Sequence, residues 1–494
     1  MDSLNILSFF LALSLYFCIM IGVGIYFCRK NRNVSDYILG SRRLGAWVTS
    51  LSAEASDMSG WLLMGLPGLA YVCGGCAIWT ALGLVLGTYA NWKWVAGRLR
   101  AYTEIAGNAL TIPDFLQNRF HSRSDAIRVF SAVFIFFFFV IYVSSGLIAG
   151  GKLFSLILPV SYSQAIYATA LVTTSYTLIG GFSAVCWTDA IQGMMMFLAV
   201  VGVPIAAVHH CGGMGKTVHL LYSSGREFMS PLLAADGHIF SPLKIISMLA
   251  WGLGYFGQPH ILARFMAVRS PREIPLARQI AMHWVTWSLL AAVLVGILGR
   301  FCFPAELEGA EVENIFLLLV SGLFTPFFLN LVLLGILAAI MSTASSQLLV
   351  AASSFSRDLY ATVFRKNAKS AELLWVSRGS VLVVALLAVI FARNPESLIL
   401  DVVAYAWAGF GACLGPALLF ALFWRRTTER GVLAGIIAGG VTVFLWKKFM
   451  PIELYEIIPG FLISSLAIVV RSLTDAKPDG TALETFDVVC DRMN

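Results

Sequence analysis

The residues best able to do chemistry lie in Ser52-Ala-Glu-Ala-Ser-Asp-Met-Ser-Gly-Trp-Leu-Leu-Met-Gly-Leu-Pro-Gly68, where two acids, Glu54 and Asp57, accompany serines and three glycines. The surrounding run is apolar enough to cross a bilayer, and in hydrocarbon an unpaired carbonyl or a buried carboxylate costs several kcal/mol. Such a stretch survives where it is buried in protein or lines a wet cavity, and a broken membrane helix exposes both donors and carbonyls to a ligand. The plainer alternative is a turn in which Asp57 and Ser59 cap the helix that follows. A second polar interruption is Trp251-Gly-Leu-Gly-Tyr-Phe-Gly-Gln-Pro-His260. Its glycines match the dinucleotide-binding spacing, but no strand–turn–helix unit accompanies them. Three glycines and Pro259 instead weaken a helix on which Trp251 and Tyr255, four apart, share a face. The alternative is a kinked helix that lets a neighbour pack closely. A third constellation is Gly335-Ile-Leu-Ala-Ala-Ile-Met-Ser-Thr-Ala-Ser-Ser-Gln347, in which Ala339, Ser342 and Thr343 stand at i, i+3 and i+4 on one helical face. Their hydroxyls either bond back to their own helix or serve as oxygen ligands for a small monovalent ion, facing carbonyls freed by the first break.

The elements that hold these stretches are membrane spans. Of 494 residues 59% are hydrophobic and 12% charged, with a mean hydropathy of +0.81. A soluble domain carries roughly twice that charged share. The fold class is therefore all-α membrane protein, the whole chain (1–494) forming one membrane unit with no soluble catalytic domain. The net charge of +7 is read loop by loop and is no nucleic-acid footprint. About thirteen spans are expected, near 5–28, 48–72, 75–97, 129–152, 160–180, 188–209, 243–264, 280–303, 316–349, 375–393, 398–424, 431–449 and 456–472. The first is a retained span rather than a cleaved leader, because its basic cluster (Arg29, Lys30, Arg32) follows the apolar run. Loops after odd-numbered spans hold 26 of the 34 Lys and Arg residues. The positive-inside rule then places the N-terminus outside and the C-terminus in the cytoplasm.

The two interruptions fall in spans two and seven, five apart, so these spans cross in opposite directions. Broken helices in opposed halves point to an inverted-repeat secondary transporter: a five-plus-five core with repeats at 48–209 and 243–424, and additional helices at 431–472. The repeat rests on topology, since no residue-level similarity joins the halves. Most of the nine cysteines read as small core residues. Cys73-Gly-Gly-Cys76 has the spacing of redox or zinc pairs but lacks a second pair or a His partner. Gly212-Gly-Met-Gly-Lys-Thr217, in the long 210–242 loop, reads as a turn and not as a phosphate loop. His209 and His210 read as interface residues.

The three stretches, with Asp36-Tyr-Ile-Leu-Gly40, Trp187-Thr-Asp189, Tyr405-Ala-Trp-Ala-Gly-Phe-Gly411 and Tyr455-Glu-Ile-Ile-Pro-Gly-Phe461, resemble the sodium:solute symporter family, and within it the proline carriers, from about residue 5 to 472. The resemblance implies that Na⁺ binds to the carbonyls of Ala55, Met58 and Ala339 and the hydroxyls of Ser342 and Thr343, with Asp57 as the nearby coupling carboxylate. It implies that L-proline lies among Ser59, Gly60, Trp61, Tyr142, Trp251, Tyr255 and Pro259. The implied activity is sodium-coupled symport into the cell across the plasma membrane. It involves no covalent chemistry, no cofactor beyond the coupling ion, and no partner beyond proline, Na⁺ and membrane lipid; no obligate protein partner is evident. Glu54 departs from the pattern, standing where a small residue is expected within the ion segment. Alternatives are a carrier of another small carboxylated solute, or a transporter-like membrane sensor, which the short tail after the last span disfavours.

Overall fold

The computed structural model describes residues 3–30, 34–122, 124–224, 227–233, 238–302, 306–450 and 452–493; Arg32 of the basic cluster lies outside them. Every named element among them is helical. Helix α1 (Ser3–Cys28) and the short α2 (Val34–Leu39) precede α3 (Ala46–Asp57), whose first N–H is capped from a distance: Ala46 N donates to Glu273 Oε2 at 2.8 Å. The helix breaks at Met58 and Ser59, where Met58 takes ψ of 89°. It resumes with a π-helical turn, Trp61–Gly65, that runs into α4 (Leu66–Cys73). The next pass is α5 (Ile78–Ala90), a second π-helical turn at Asn91–Val95 and α6 (Ala96–Ile105). Helix α7 (Ile112–Arg119), capped by the Thr111 hydroxyl, leads to α8 (Ala126–Ile157).

Helix α9 (Tyr162–His210) starts at a capping box of Ser161 and Gln164 and bends at Gly181, whose φ of +67° an L side chain rarely adopts. The stretches expected as spans 160–180 and 188–209 are thus two helices that meet at this non-helical residue. Residues 212 and 213 turn as expected, but the rest of that run belongs to a helix, α10 (Met214–Ser224). The second interruption is also seen: α11 (Pro242–Leu249), a 3₁₀ segment at Ala250–Gly257, a break at Gln258, then α12 (Pro259–Ala267) and α13 (Ile274–Cys302). Where one span was expected at 316–349, the chain instead forms α14 (Ile315–Leu323) and then α15 (Pro326–Ser353), prolonged by a π-helical stretch at Ser354–Phe364. The reason is Pro326, which starts a new helix and cannot continue an old one. The chain closes with α16 (Ser370–Phe391), α17 (Ile399–Phe423), α18 (Glu429–Phe449), α19 (Ile457–Thr474) and α20 (Gly480–Met493).

Ten helical stretches among the described residues are long and apolar enough to cross a membrane. One of them, Trp61–Ile105, joins what the sequence divides between 48–72 and 75–97. The broken stretch at 243–264 is not among the ten, because its helical pieces are short. The most apolar windows of α8 and α17 are 78% and 83% buried, against 22% for α1 and 33% for α18 and α19. The first two are therefore the centre of the bundle and the others its rim. Leu11, Leu198 and Leu466 stand exposed on outer faces, as expected of side chains that meet lipid.

The two broken segments lie antiparallel, side by side. Leu44 exchanges backbone hydrogen bonds with Ala267 and Arg269, Ser52 contacts Arg264, Asp57 contacts Tyr255, and the rings of Trp61 and Trp251 lie 6.3 Å apart. Rising numbers on one segment meet falling numbers on the other. The glycines of the second segment let α5 and α17 pack closely on it, as the close-neighbour alternative anticipated. A Cβ on Gly252 would come within 2.3 Å of Gly83 O, and one on Gly257 within 2.1 Å of Phe410 O.

Four cysteines are paired and not free: Cys73 with Cys76, and Cys211 with Cys302. The first pair closes across Gly74, whose φ of +65° makes the tight turn.

Candidate functional site

The break in α3 brings the expected ion residues together. Ser342 Oγ donates to Ala55 O at 2.7 Å and lies 3.2 Å from Ala339 O, while Thr343 Oγ1 reaches the same Ala55 O at 3.2 Å. The two hydroxyls therefore do not merely bond back into α15; both reach across to the segment whose ladder has ended. All of these residues are buried. Met58, in the break itself, is buried beside them with its carbonyl turned off the helix axis. Hydroxyl and carbonyl oxygens at such spacing suit a small hard cation, because each hydroxyl can turn its hydrogen away and present a lone pair.

Asp57 ends the first half-helix and does not cap the second. Its Oδ2 accepts from the Tyr255 hydroxyl at 2.7 Å, and its main-chain carbonyl accepts from Trp61 Nε1 at 3.1 Å and Tyr142 Oη at 3.3 Å. The capping expected of Ser59 is present but long, with Trp61 N at 3.4 Å from its Oγ. Gly60 is needed for close approach: a Cβ there would lie 2.6 Å from that of Ala149 on α8.

The expected solute residues divide into two groups. Trp61, Tyr142, Trp251 and Tyr255 gather round the break with Ser59 and Gly60. Pro259 lies deeper, lining a narrow pocket with Ala263, Met266 and Ser353. The expectation that Trp251 and Tyr255 share one face needs correction, because residues 250–257 are 3₁₀ and four residues turn about 120° past a full circle there. Trp251 stacks on Tyr455 with centroids 5.5 Å apart, while Tyr255 turns to Asp57 and meets Trp407 edge-on at 5.0 Å.

Trp407 was not anticipated, although its stretch was singled out. It is fully buried, donates from Nε1 to Trp251 O at 2.7 Å, and borders both aromatic side chains. Gly254 is its complement, since a Cβ there would fall 1.8 Å from Trp407 Nε1. Glycines on both stretches were the available signal. Arg264 was also missed. It reaches Asp189 at 3.0 Å, and the Asp189 carboxylate further accepts from Ser52 at 2.8 Å and Ser346 at 3.0 Å.

An all-helical bundle with two antiparallel broken helices, hydroxyl and carbonyl oxygens gathered at one break and an aromatic cluster beside it, is the kind of construction an ion-coupled membrane carrier uses. The comparisons agree. Residues 37–439 match the family model described as sodium:solute symporter family, and the chain belongs to that family of transporters, which are not enzymes. It is 47% identical over 480 residues to the sodium/proline symporter of Escherichia coli (strain K12), covering 95% of this chain and 94% of that one. It is 44% identical over 483 residues to the osmoregulated proline transporter OpuE of Bacillus subtilis (strain 168), covering 97% of each. Among solved structures, a Na⁺-coupled sialic acid symporter in a substrate-bound outward-open state superimposes with a TM-score of 0.78 over 95% of this chain and 98% of that one. At 18% identity, that likeness concerns the fold.

Proposed function

We propose that this protein is a sodium-coupled symporter that carries L-proline into the cell by alternating access. The observation that carries the reading is the meeting of Ser342 and Thr343 on the Ala55 carbonyl at the helix break. Sodium is held by the carbonyls of Ala55, Met58 and Ala339 and the hydroxyls of Ser342 and Thr343, with Asp57 nearby as the coupling carboxylate. Binding there ties α15 to the first broken helix, and Asp57 conveys it to Tyr255 and so to the second. Proline's ring is taken by the flat surfaces of Trp61, Tyr142, Trp251 and Tyr255. Its charged groups go to the half-helix ends at Ser59 and Gly60, and Pro259 lies on the inward path. The ion acts through differential affinity: it favours the conformation in which the solute pocket is formed.

The carrier crosses the plasma membrane thirteen times, N-terminus outside, as two inverted repeats, 48–209 and 243–424. The antiparallel course of the two broken segments supports the repeats. The disulfides support the orientation: both fall in loops assigned to the outside, while Cys28 and Cys490, assigned to the cytoplasm, are free. The test is uptake of labelled proline into vesicles under an imposed sodium gradient, with unlabelled carboxylated solutes as competitors. Uptake that ignores the gradient, or a better competitor than proline, rejects the reading.

A further inference from the structure

Seven carboxylates are buried among the described residues: Glu54, Asp57, Asp114, Asp189, Glu313, Asp358 and Glu456. Five have a cation built in. Arg264 stands 3.0 Å from Asp189, Lys152 2.8 Å from Glu313, Arg128 2.8 Å from Asp358, Arg128 and Arg357 each 3.6 Å from Asp114, and Lys447 3.8 Å from Glu456. Among the described residues, Glu54 and Asp57 have none within ion-pairing distance. They are three residues apart on α3 and so on neighbouring helix positions, where like charges oppose each other. An uncompensated carboxylate inside a membrane protein is costly, and here there are two.

Apart from the donors of Trp92 and Tyr255 that reach the pair, unpartnered oxygens lie on and beside it. Asp57 Oδ1, Thr88 Oγ1 and Asn91 Oδ1 are all buried and make no hydrogen bond. Glu54 accepts a hydrogen bond from Trp92 Nε1 at 3.0 Å, which holds its carboxylate in place. The Thr88 side chain lies against the Tyr255 hydroxyl, whose hydrogen goes to Asp57 Oδ2. Asn91 donates from Nδ2 to Tyr255 O at 3.0 Å, leaving its own oxygen free. Two of these residues, Asn91 and Trp92, lie in the π-helical turn that interrupts the pass from α5 to α6; such turns recur at functional sites.

We propose that Glu54 and Asp57, with Thr88 and Asn91, form a second monovalent-cation site, reached from α5 and the second broken segment rather than from α15. Its donors are oxygens alone: two carboxylates, a hydroxyl and an amide carbonyl. That is a hard-cation set with too few ligands for calcium, which takes six to eight. The proposal rests on the sodium-coupled reading for the identity of its ion, Na⁺. It extends that reading, because Asp57 then stands between two ions, one on each side of α3's last turn. Glu54 supplies the carboxylate that adds the second.

The test is equilibrium binding of radioactive sodium to the full-length protein, purified and free of amino acids. Two equivalents are expected in the wild type. One is expected in Glu54→Gln and likewise in Thr88→Val, which keeps the shape and removes only the hydroxyl, so that a folding defect in the first leaves the second to decide. Adding Ser342→Ala and Thr343→Ala to either is expected to abolish the remaining equivalent. A single equivalent in the wild type, or two that persist in both variants, overturns the second site and leaves the sodium-coupled reading standing. No binding at all in the wild type overturns both.

Discussion

Asp189 and Asp57 are both wholly buried aspartates, and they differ in what balances their charge. Asp189 has Arg264, Ser52 and Ser346 around its Oδ2, so four elements (α9, α12, α3 and α15) are pinned at one point. Asp57 has one hydroxyl, from Tyr255, and no cation among the described residues. The first charge is settled inside the protein and serves as a brace. On the proposed reading, the second is left for the cargo to settle. A carrier needs both kinds, since a fixed ion pair gives nothing for a transported ion to displace.

The largest expected effect comes from breaking the brace. Arg264→Met leaves Asp189 buried and uncompensated, and should lower stability by about 3–5 kcal/mol, with Arg264→Met/Asp189→Leu recovering most of it. Thermal unfolding in detergent measures this; an unchanged midpoint in the single variant would show that Asp189 does not depend on Arg264. On the other side of the comparison, Trp251→Ala removes one wall of the aromatic cluster. It should weaken proline binding by about 3 kcal/mol, a hundredfold or more, while sodium binding without proline survives. Equal loss of both ligands would mean that the broken helix has collapsed.

Much of this contrast was legible in the sequence, for local reasons. Ser342 and Thr343 announced themselves by spacing on one helix, and Asp57 by its place in an apolar run. The pairing of Arg264 with Asp189 was not legible, because 75 positions separate them and nothing local to either says that they meet. Trp407 was hidden in the same way: its role depends on Gly254, on another helix. The shared face assigned to Trp251 and Tyr255 failed for a different reason. The periodicity argument assumes 3.6 residues per turn, and three glycines with Pro259 let the segment tighten to three. The single span expected at 316–349 failed because Pro326, inside that apolar run, begins a new helix.

Smaller effects sharpen the comparison at the ion itself. Ser342→Ala and Thr343→Ala each remove one hydroxyl from the proposed ion site, worth about 1.5–3 kcal/mol to a charged partner. Each should raise the sodium concentration for half-maximal uptake about tenfold or more, with normal protein levels. Unchanged sodium dependence in both would remove them from the site. Tyr255→Phe deletes a single hydrogen bond to the Asp57 carboxylate and should cost about 1.5–3 kcal/mol at most. If it has no effect on either ligand, the link from ion to solute runs elsewhere.

The most direct test of the central claim is proline uptake into vesicles as a function of the imposed sodium gradient, with wild type and Asp57→Asn measured side by side. A charge left for the cargo should make wild-type uptake rise steeply with the gradient. Asp57→Asn should lose that dependence, with Asp57→Glu retaining part of it. Normal gradient-driven uptake by Asp57→Asn would contradict the account, and would reduce Asp57 to the end of a helix.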